Sequence, residues 1–142
     1  MSIVLDASVA LSWILPDERA AGERLFTRFG GARFHAPAHW PLEVANAVVM
    51  AERRGRIDAG SRAGALRDLA ELGVRIDRAI GEATWSGIPE LAARRRLSGY
   101  DAAYLELAQR LDCPLASFDR ALLAAAGLEK IETIFVGGLD RP

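Results

Sequence analysis

Ser2-Ile3-Val4-Leu5-Asp6 is the stretch on which the fold turns. A short β-branched, apolar run stopped by an acid reads as a buried strand. Outward from it, residues 18–29 place Ala21, Leu25, Phe26 and Phe29 on one helix face, and Gly30-Gly31 ends that helix. Residues 33–36 (RFHA) predict a second strand closed by Pro37. Pro41, favoured in a first helical turn, opens a helix to about residue 54, and Gly55 stops it. Residues 57–72 predict a helix with Leu66, Leu69 and Ala70 inward and Gly73 as its C-terminal cap. Residues 74–77 (VRID) alternate as a short strand. Residues 80–97 are mainly helical, divided or restarted at Pro89. Residues 100–111 put Tyr104, Leu107, Ala108 and Leu111 on one helix face. A strand at 114–118 (PLASF), a short helix at 119–126 and a last strand at 131–136 (IETIFV) complete the pattern. Five strands alternating with helices predict an α/β fold, a parallel sheet with helices on both faces.

The chain has 142 residues, with 51% hydrophobic and 26% charged side chains and a net charge of -1. Such a chain buries roughly 70% of its unfolded surface in one core, so a single domain over residues 1–142 is expected. No repeat or linker divides it. High apolar content with little net charge excludes disorder. The one cysteine, Cys113, excludes a disulfide framework and a cysteine-cluster metal site, and makes a reducing cytoplasm the expected home. Asp6 interrupts the first apolar run, and the longest uncharged stretch, residues 7–16, is too short to span a bilayer. Neither a secretory leader nor a membrane span is expected. The basic residues are 17 Arg and one Lys, and net charge near zero argues against a strongly basic coat.

In a parallel sheet, ligands gather outside the carboxyl ends of the strands. Asp6 follows the first strand and Asp119 follows PLASF. Asp101 opens a helix directly after Ser98-Gly99-Tyr100, on the same edge. From Pro41 to Ala51 only Glu43 and Asn46 are polar, and their spacing puts them on one face of a helix read as otherwise buried. An ionised Glu there is costly unless something pairs with it. Each residue alone has a structural explanation. Asp6 can end a strand, Asp101 and Asp119 can cap helices, Glu43 can pair with an Arg such as Arg33, and Asn46 can be a satisfied amide. The joint pattern is stronger. Crowded carboxylates do not all ionise without a cation, and oxygen-only ligands favour Mg²⁺ or Mn²⁺ over zinc. His35 and His39 flank Pro37 and read as structural or exposed. With no protein nucleophile in the pattern, the implied chemistry is hydrolysis at a phosphate by metal-activated water.

Four segments resemble the PIN-domain proteins of the VapC toxin group, the ribonuclease half of type II toxin–antitoxin pairs. They are Val4-Leu5-Asp6-Ala7-Ser8, Pro41-Leu42-Glu43-Val44-Ala45-Asn46, Tyr100-Asp101-Ala102-Ala103-Tyr104-Leu105-Glu106-Leu107-Ala108 and Leu115-Ala116-Ser117-Phe118-Asp119. They stand in family order and spacing across nearly the whole chain. The resemblance implies a PIN-like three-layer fold around a central five-stranded parallel sheet. It implies that Asp6, Glu43, Asp101 and Asp119 form an acidic Mg²⁺ site that cleaves RNA, with Asp6 and Asp101 the firmest ligands. Ser8, Asn46 and Ser117 match polar positions that would orient those acids. Ser117 stands where related toxins often carry Thr. A homodimer and a small VapB-like antitoxin that places a basic side chain near the acids are implied as well.

Other classes fit less well. A haloacid-dehalogenase-like phosphatase wants a second Asp where Ser8 stands. A phospho-receiver domain wants a Lys after the last strand, whereas Lys130 precedes it. A catalytically silent module on the same fold has the same sequence signature. Arg94-Arg95-Arg96 reads as a solvated helix end or a phosphate contact, and Trp13, Trp40 and Trp85 as core or interface. The apolar run Trp13-Ile14-Leu15-Pro16 suggests a dimer or antitoxin contact.

Overall fold

The computed structural model describes residues 1–15 and 19–136. β1 (Ser2–Leu5) is the middle strand of a five-stranded, all-parallel sheet, which is why Ile3, Val4 and Leu5 are apolar in succession rather than alternating. The strand order is β3-β2-β1-β4-β5, with β2 at Arg33–Ala36, β3 at Arg75–Ile76, β4 at Leu115–Ser117 and β5 at Thr133–Phe135. β1 pairs with β2 on one side, Ile3 opposite Phe34, and with β4 on the other, Leu5 opposite Ala116. The chain runs outward from β1 to β3, then crosses over to β4 and β5. The order therefore reverses beside β1, and that reversal opens a crevice at the carboxyl ends of β1 and β4.

Helices α1 (Ala7–Ser12), α2 (Arg19–Phe29), α3 (Trp40–Arg53) and α4 (Ala59–Glu71) pack on one another. A second group, α5 (Ile80–Trp85), α6 (Gly87–Arg95) and α7 (Gly99–Leu111), packs with α7 on β1 and β4. α8 (Arg120–Leu128) lies on β4 and β5. Right-handed crossovers put these groups on opposite faces, giving the expected three-layer α/β architecture. One connected apolar core runs through all layers, from Ile3, Val4 and Leu5 in β1 to Val48 in α3 and Tyr104, Leu105 and Leu107 in α7. Gly55 and Gly73, with φ of +76° and +70°, follow α3 and α4 in the left-handed conformation that ends a helix at little cost to glycine.

Several expectations need correction. α1, which no periodicity in residues 7–12 predicts, follows β1 directly and buries Ala7, Val9, Ala10 and Ser12. The break in 80–97 falls at Ser86, and Pro89 sits in the first turn of α6, where its missing N–H costs nothing. In α4 Leu69 is buried and Leu66 packs against the core as expected, Ala65 joins them, and Ala70 is exposed. In α7 Leu111 is exposed, whereas Ala102, Ala103 and Leu105 are buried beside Tyr104, Leu107 and Ala108. α3 is not buried all round: Leu42 is 77% exposed, and Val49 and Asn46 are also exposed. Its sequence is apolar on a face that the monomer leaves open. In the Trp13-Ile14-Leu15-Pro16 run, Leu15 is buried and Trp13 stands edge-on to Phe26 and Phe34, so much of the run belongs to the chain's own core. Pro16 and Glu18, the end of that run and the expected start of α2, lie outside the described residues. Among the described residues no helix is long and apolar enough to cross a membrane.

Candidate active site

The crevice beside β1 gathers the acids. Asp6 ends β1 and is the N-terminal cap residue of α1, yet its carboxylate makes no capping bond. It is held instead by two hydroxyls. Ser8 Oγ donates to Asp6 Oδ2 at 2.8 Å, and Ser117 Oγ donates to the same oxygen at 2.7 Å. Ser117 also accepts from the Asp119 N–H at 2.8 Å, so one serine ties the ends of β1 and β4 together. Both bonds fall on Oδ2, and Oδ1 takes neither. Asp6 is 8% exposed, and burial pushes its carboxyl above the usual carboxylate range. The serines oppose that rise, and the charges of Glu43 and Asp101 add to it.

Asp101 lies in the first turn of α7, but it is not the cap. Ser98 caps the helix, and its Oγ accepts the Asp101 N–H at 3.1 Å. That leaves the Asp101 carboxylate available. Burial raises it first, then the charges of Asp119 and Glu43, against a lowering by His39. Asp119 does cap its helix: Oδ1 accepts from Ala121 N–H at 2.9 Å and Leu122 N–H at 3.2 Å. Glu43, in the first turn of α3, is half-buried and does not pair with Arg33. Its Oε1 accepts the Tyr104 hydroxyl at 2.6 Å and lies 3.9 Å from His39 Nε2. Tyr104 is fully buried, and burial, then the bond to Glu43, raises its hydroxyl well above the usual range.

The four acids thus feel one another's charge across one crevice. Asp6 is coupled to Glu43 and Asp101, and Asp101 to Glu43 and Asp119. Ser8 and Ser117 both stand against Asp6. Asn46 does not reach that cluster; it is exposed and shares a cavity wall with Glu43. An all-carboxylate donor set of this kind suits a hard divalent cation, whose charge would relieve the repulsion that raises Asp6 and Asp101. Among the described residues, no three His, Cys, Asp or Glu side chains already close on one point.

Two residues of the site were not singled out from sequence. His39, read as structural or exposed, sits at the crevice with its ring edge-on to Tyr100 and Tyr104. Burial lowers its imidazole, the charges of Glu43 and Asp101 oppose that, and its Nε2 stands 3.9 Å from Glu43 Oε1. Tyr104 reads in sequence as a core residue, and its ring is one, but its hydroxyl orients Glu43. The spacing held a signal for both: His39 lies one turn before Glu43, and Tyr104 one turn after Asp101. His35, by contrast, only meets Ser2 Oγ at 3.2 Å near the start of β1. Arg94 and Arg95 are committed to Glu129, at 2.8 and 3.0 Å, rather than facing the crevice.

Comparison with known proteins agrees with this architecture. The PIN domain family profile matches residues 3–128. "VapC ribonuclease Mb0985" of Mycobacterium bovis and "Ribonuclease VapC9" of Mycobacterium tuberculosis are each 32% identical over 122 residues, covering 84% of this chain and 87% of theirs. Among solved structures, PAE2754 from Pyrobaculum aerophilum superposes with a TM-score of 0.70 at 22% identity, over 99% of this chain and 88% of that one. FitAcB from Neisseria gonorrhoeae gives 0.66 at 14% identity, over 95% and 98%. At these identities the structural likeness speaks for the fold.

Proposed function

This chain belongs to the PIN domain family, in its VapC branch, and from that premise we propose that it is the toxin of a type II toxin–antitoxin pair, a single PIN domain over residues 1–142 that hydrolyses RNA internally with a divalent cation. One observation carries the reading: Asp6, buried where the strand order reverses, keeps its carboxylate off the helix it caps and shares a field with Glu43 and Asp101. An acid so placed is costly in an inert protein. The relatives' names say ribonuclease.

Asp6 and Asp101 would hold Mg²⁺, or Mn²⁺ in its place, with Glu43 and Asp119 beside them. The cation would supply an activated water and charge for the phosphate in the transition state. The chain's own contribution is positioning. Ser8 and Ser117 fix the Asp6 carboxylate, Ser98 fixes the turn that presents Asp101, and Tyr104 fixes Glu43. Asp119 spends Oδ1 on its helix, leaving Oδ2 for the crevice. Hydrolysis breaks a phosphodiester P–O bond and puts the water oxygen on phosphorus.

The protein is expected to act in the cytoplasm as a homodimer, held by a small VapB-like antitoxin that covers apolar surface and places a basic side chain near the acids. A cavity of about 510 Å³ lined by Trp13, Ile14, Phe26 and Leu72 together with Glu23 and Asp68 offers apolar surface for such a partner to cover. Light scattering at micromolar concentration should give twice the chain mass; a monomer would overturn the dimer.

Purified protein incubated with structured RNA should cleave it with Mg²⁺ or Mn²⁺ and not with chelator. Asp6→Asn and Asp101→Asn should fold and lose at least about a hundredfold in rate, the scale of removing one preorganised electrostatic group. Cleavage in chelator, or by either variant at the wild-type rate, overturns the mechanism. No cleavage under any condition leaves a catalytically silent interaction module.

A further inference from the structure

α7 does more than present Asp101. On either side of that acid, Tyr100 and Ala103 wall a cavity of about 580 Å³, closed by Ile88, Pro89 and Ala92 of α6 and by His39 from the turn before α3. The lining is mostly apolar, and Tyr100 is 69% exposed with its ring edge-on to His39. The same two rings also face a second cavity of about 420 Å³ that takes in Glu43 and Leu42. His39 and Tyr100 therefore form a partition, with an apolar chamber on one side and a catalytic acid on the other.

We infer that the chamber behind Tyr100 is a nucleobase pocket, which takes the base of a nucleotide next to the scissile phosphate and stacks it on the Tyr100 ring. The inference rests on the RNA hydrolysis proposed above. A phosphate over Asp101 and Glu43 is joined to its base only by one ribose, so a base unstacked from its neighbours falls beside residues 99–103. Single-stranded RNA is read in this way, with splayed bases on aromatic faces. The chamber has the size and the largely apolar wall of a small-molecule site, and no carboxylate lines it. Only the His39 and Tyr100 rings separate it from the cavity that holds Glu43, and that adjacency favours a base over the side chain of a protein partner, which would have no need of it.

Steady-state cleavage of a mixed-sequence single-stranded oligoribonucleotide tests this with Tyr100→Ala, Tyr100→Phe and Ala38→Trp, the last filling the chamber from its exposed rim. Tyr100→Ala and Ala38→Trp should each raise KM about tenfold with kcat little changed, the scale of one lost base stack. Tyr100→Phe, which keeps the ring, should stay near wild type. A second readout needs no turnover. The same oligonucleotide carrying 2-aminopurine at successive positions, bound to Asp101→Asn protein, should be quenched strongly at one position, and Tyr100→Ala should abolish that quenching. If wild type cuts no RNA, the proposed function fails first, and the quenching alone decides the pocket. Unchanged KM and unchanged quenching in Tyr100→Ala overturn the inference. So does loss of antitoxin affinity with RNA kinetics intact, which would make the chamber a protein-docking site.

Discussion

Tyr104 shows how one residue can serve core and site together. Its ring fills the centre of the molecule, and its hydroxyl reaches Glu43 at 2.6 Å. Tyr104→Phe keeps the ring and removes only the bond. Because Glu43 is half-exposed, water can replace the lost donor, and the cost should be only about 1 kcal/mol, or roughly 3 °C in melting temperature. The effect on catalysis should be larger, a fall of about tenfold in kcat, because Glu43 would then sample orientations the tyrosine now excludes. Calorimetry beside steady-state kinetics separates the two; an unchanged kcat would show that Tyr104 is core alone. The acids themselves were legible in the sequence only jointly: each alone could end a strand or cap a helix, but three at strand and helix mouths on one edge with a fourth on an apolar helix form a pattern. Tyr104 and His39 were less so, because a buried ring and a site ligand leave the same mark in one sequence. Asn46 was over-read: the helix that carries it is apolar on a face the monomer does not bury.

Elements place these residues, and α1 is the least visible of them. Six residues without a strong period do not announce a helix, but β1 ending in Asp6 and the buried Ala7, Val9 and Ala10 leave the chain no other way to satisfy its backbone. Its C-terminal neighbour Trp13 packs against α2 at Gly22, where an added Cβ would fall inside the indole. Helix propensity alone favours Gly22→Ala by about 1 kcal/mol. Overpacking costs about 1–3 kcal/mol, and Trp13 is wedged between Phe26 and Phe34, so it cannot swing away freely. The clash should win, and thermal denaturation of Gly22→Ala should show a lower melting temperature. A higher one would mean that the indole moves at no cost. The division at Ser86 rather than Pro89 has a similar lesson: proline marks where a helix is permitted to begin as readily as where it must stop.

At the scale of the whole molecule, stability and function oppose each other. Burial and neighbouring acids raise both Asp6 and Asp101 in the folded chain. A raised folded value means that the native state binds the proton more tightly than the unfolded chain. The stabilisation is complete below the ordinary carboxylate value of 3.8 and is lost as pH climbs through the raised values. Metal-free protein should therefore melt lower at about pH 8 than at about pH 5, as far as these acids decide. Asp6→Asn should raise the metal-free melting temperature at the higher pH. Saturating Mg²⁺ should stabilise wild type by mass action and shift Asp6→Asn far less. Melts of both proteins with chelator and with Mg²⁺ decide it; equal shifts in both would show that Asp6 holds no part of a shared cation site.

The sequence by itself determined the architecture. Period and punctuation are local, and five short strand-like runs alternating with helical segments have few topologies open to them besides a parallel sheet with covered faces. It also determined which edge gathers the acids, because in such a sheet every strand's carboxyl end lies on one side, and Asp6, Asp101 and Asp119 all fall there. Only the tertiary structure decided how those acids are used. That Ser117 at the end of β4 donates to Asp6 beside β1, and that Tyr104 of α7 donates to Glu43 of α3, are facts of distance between segments far apart in the chain, and the local bonds by which Ser98 relieves Asp101 of capping and Asp119 caps α8 show only in the folded backbone. It alone decided which faces stay open as well. The exposed Leu42 and Tyr100 have the same composition as buried residues, and burial depends on which neighbours the fold brings, a non-local sum that no short window of sequence contains.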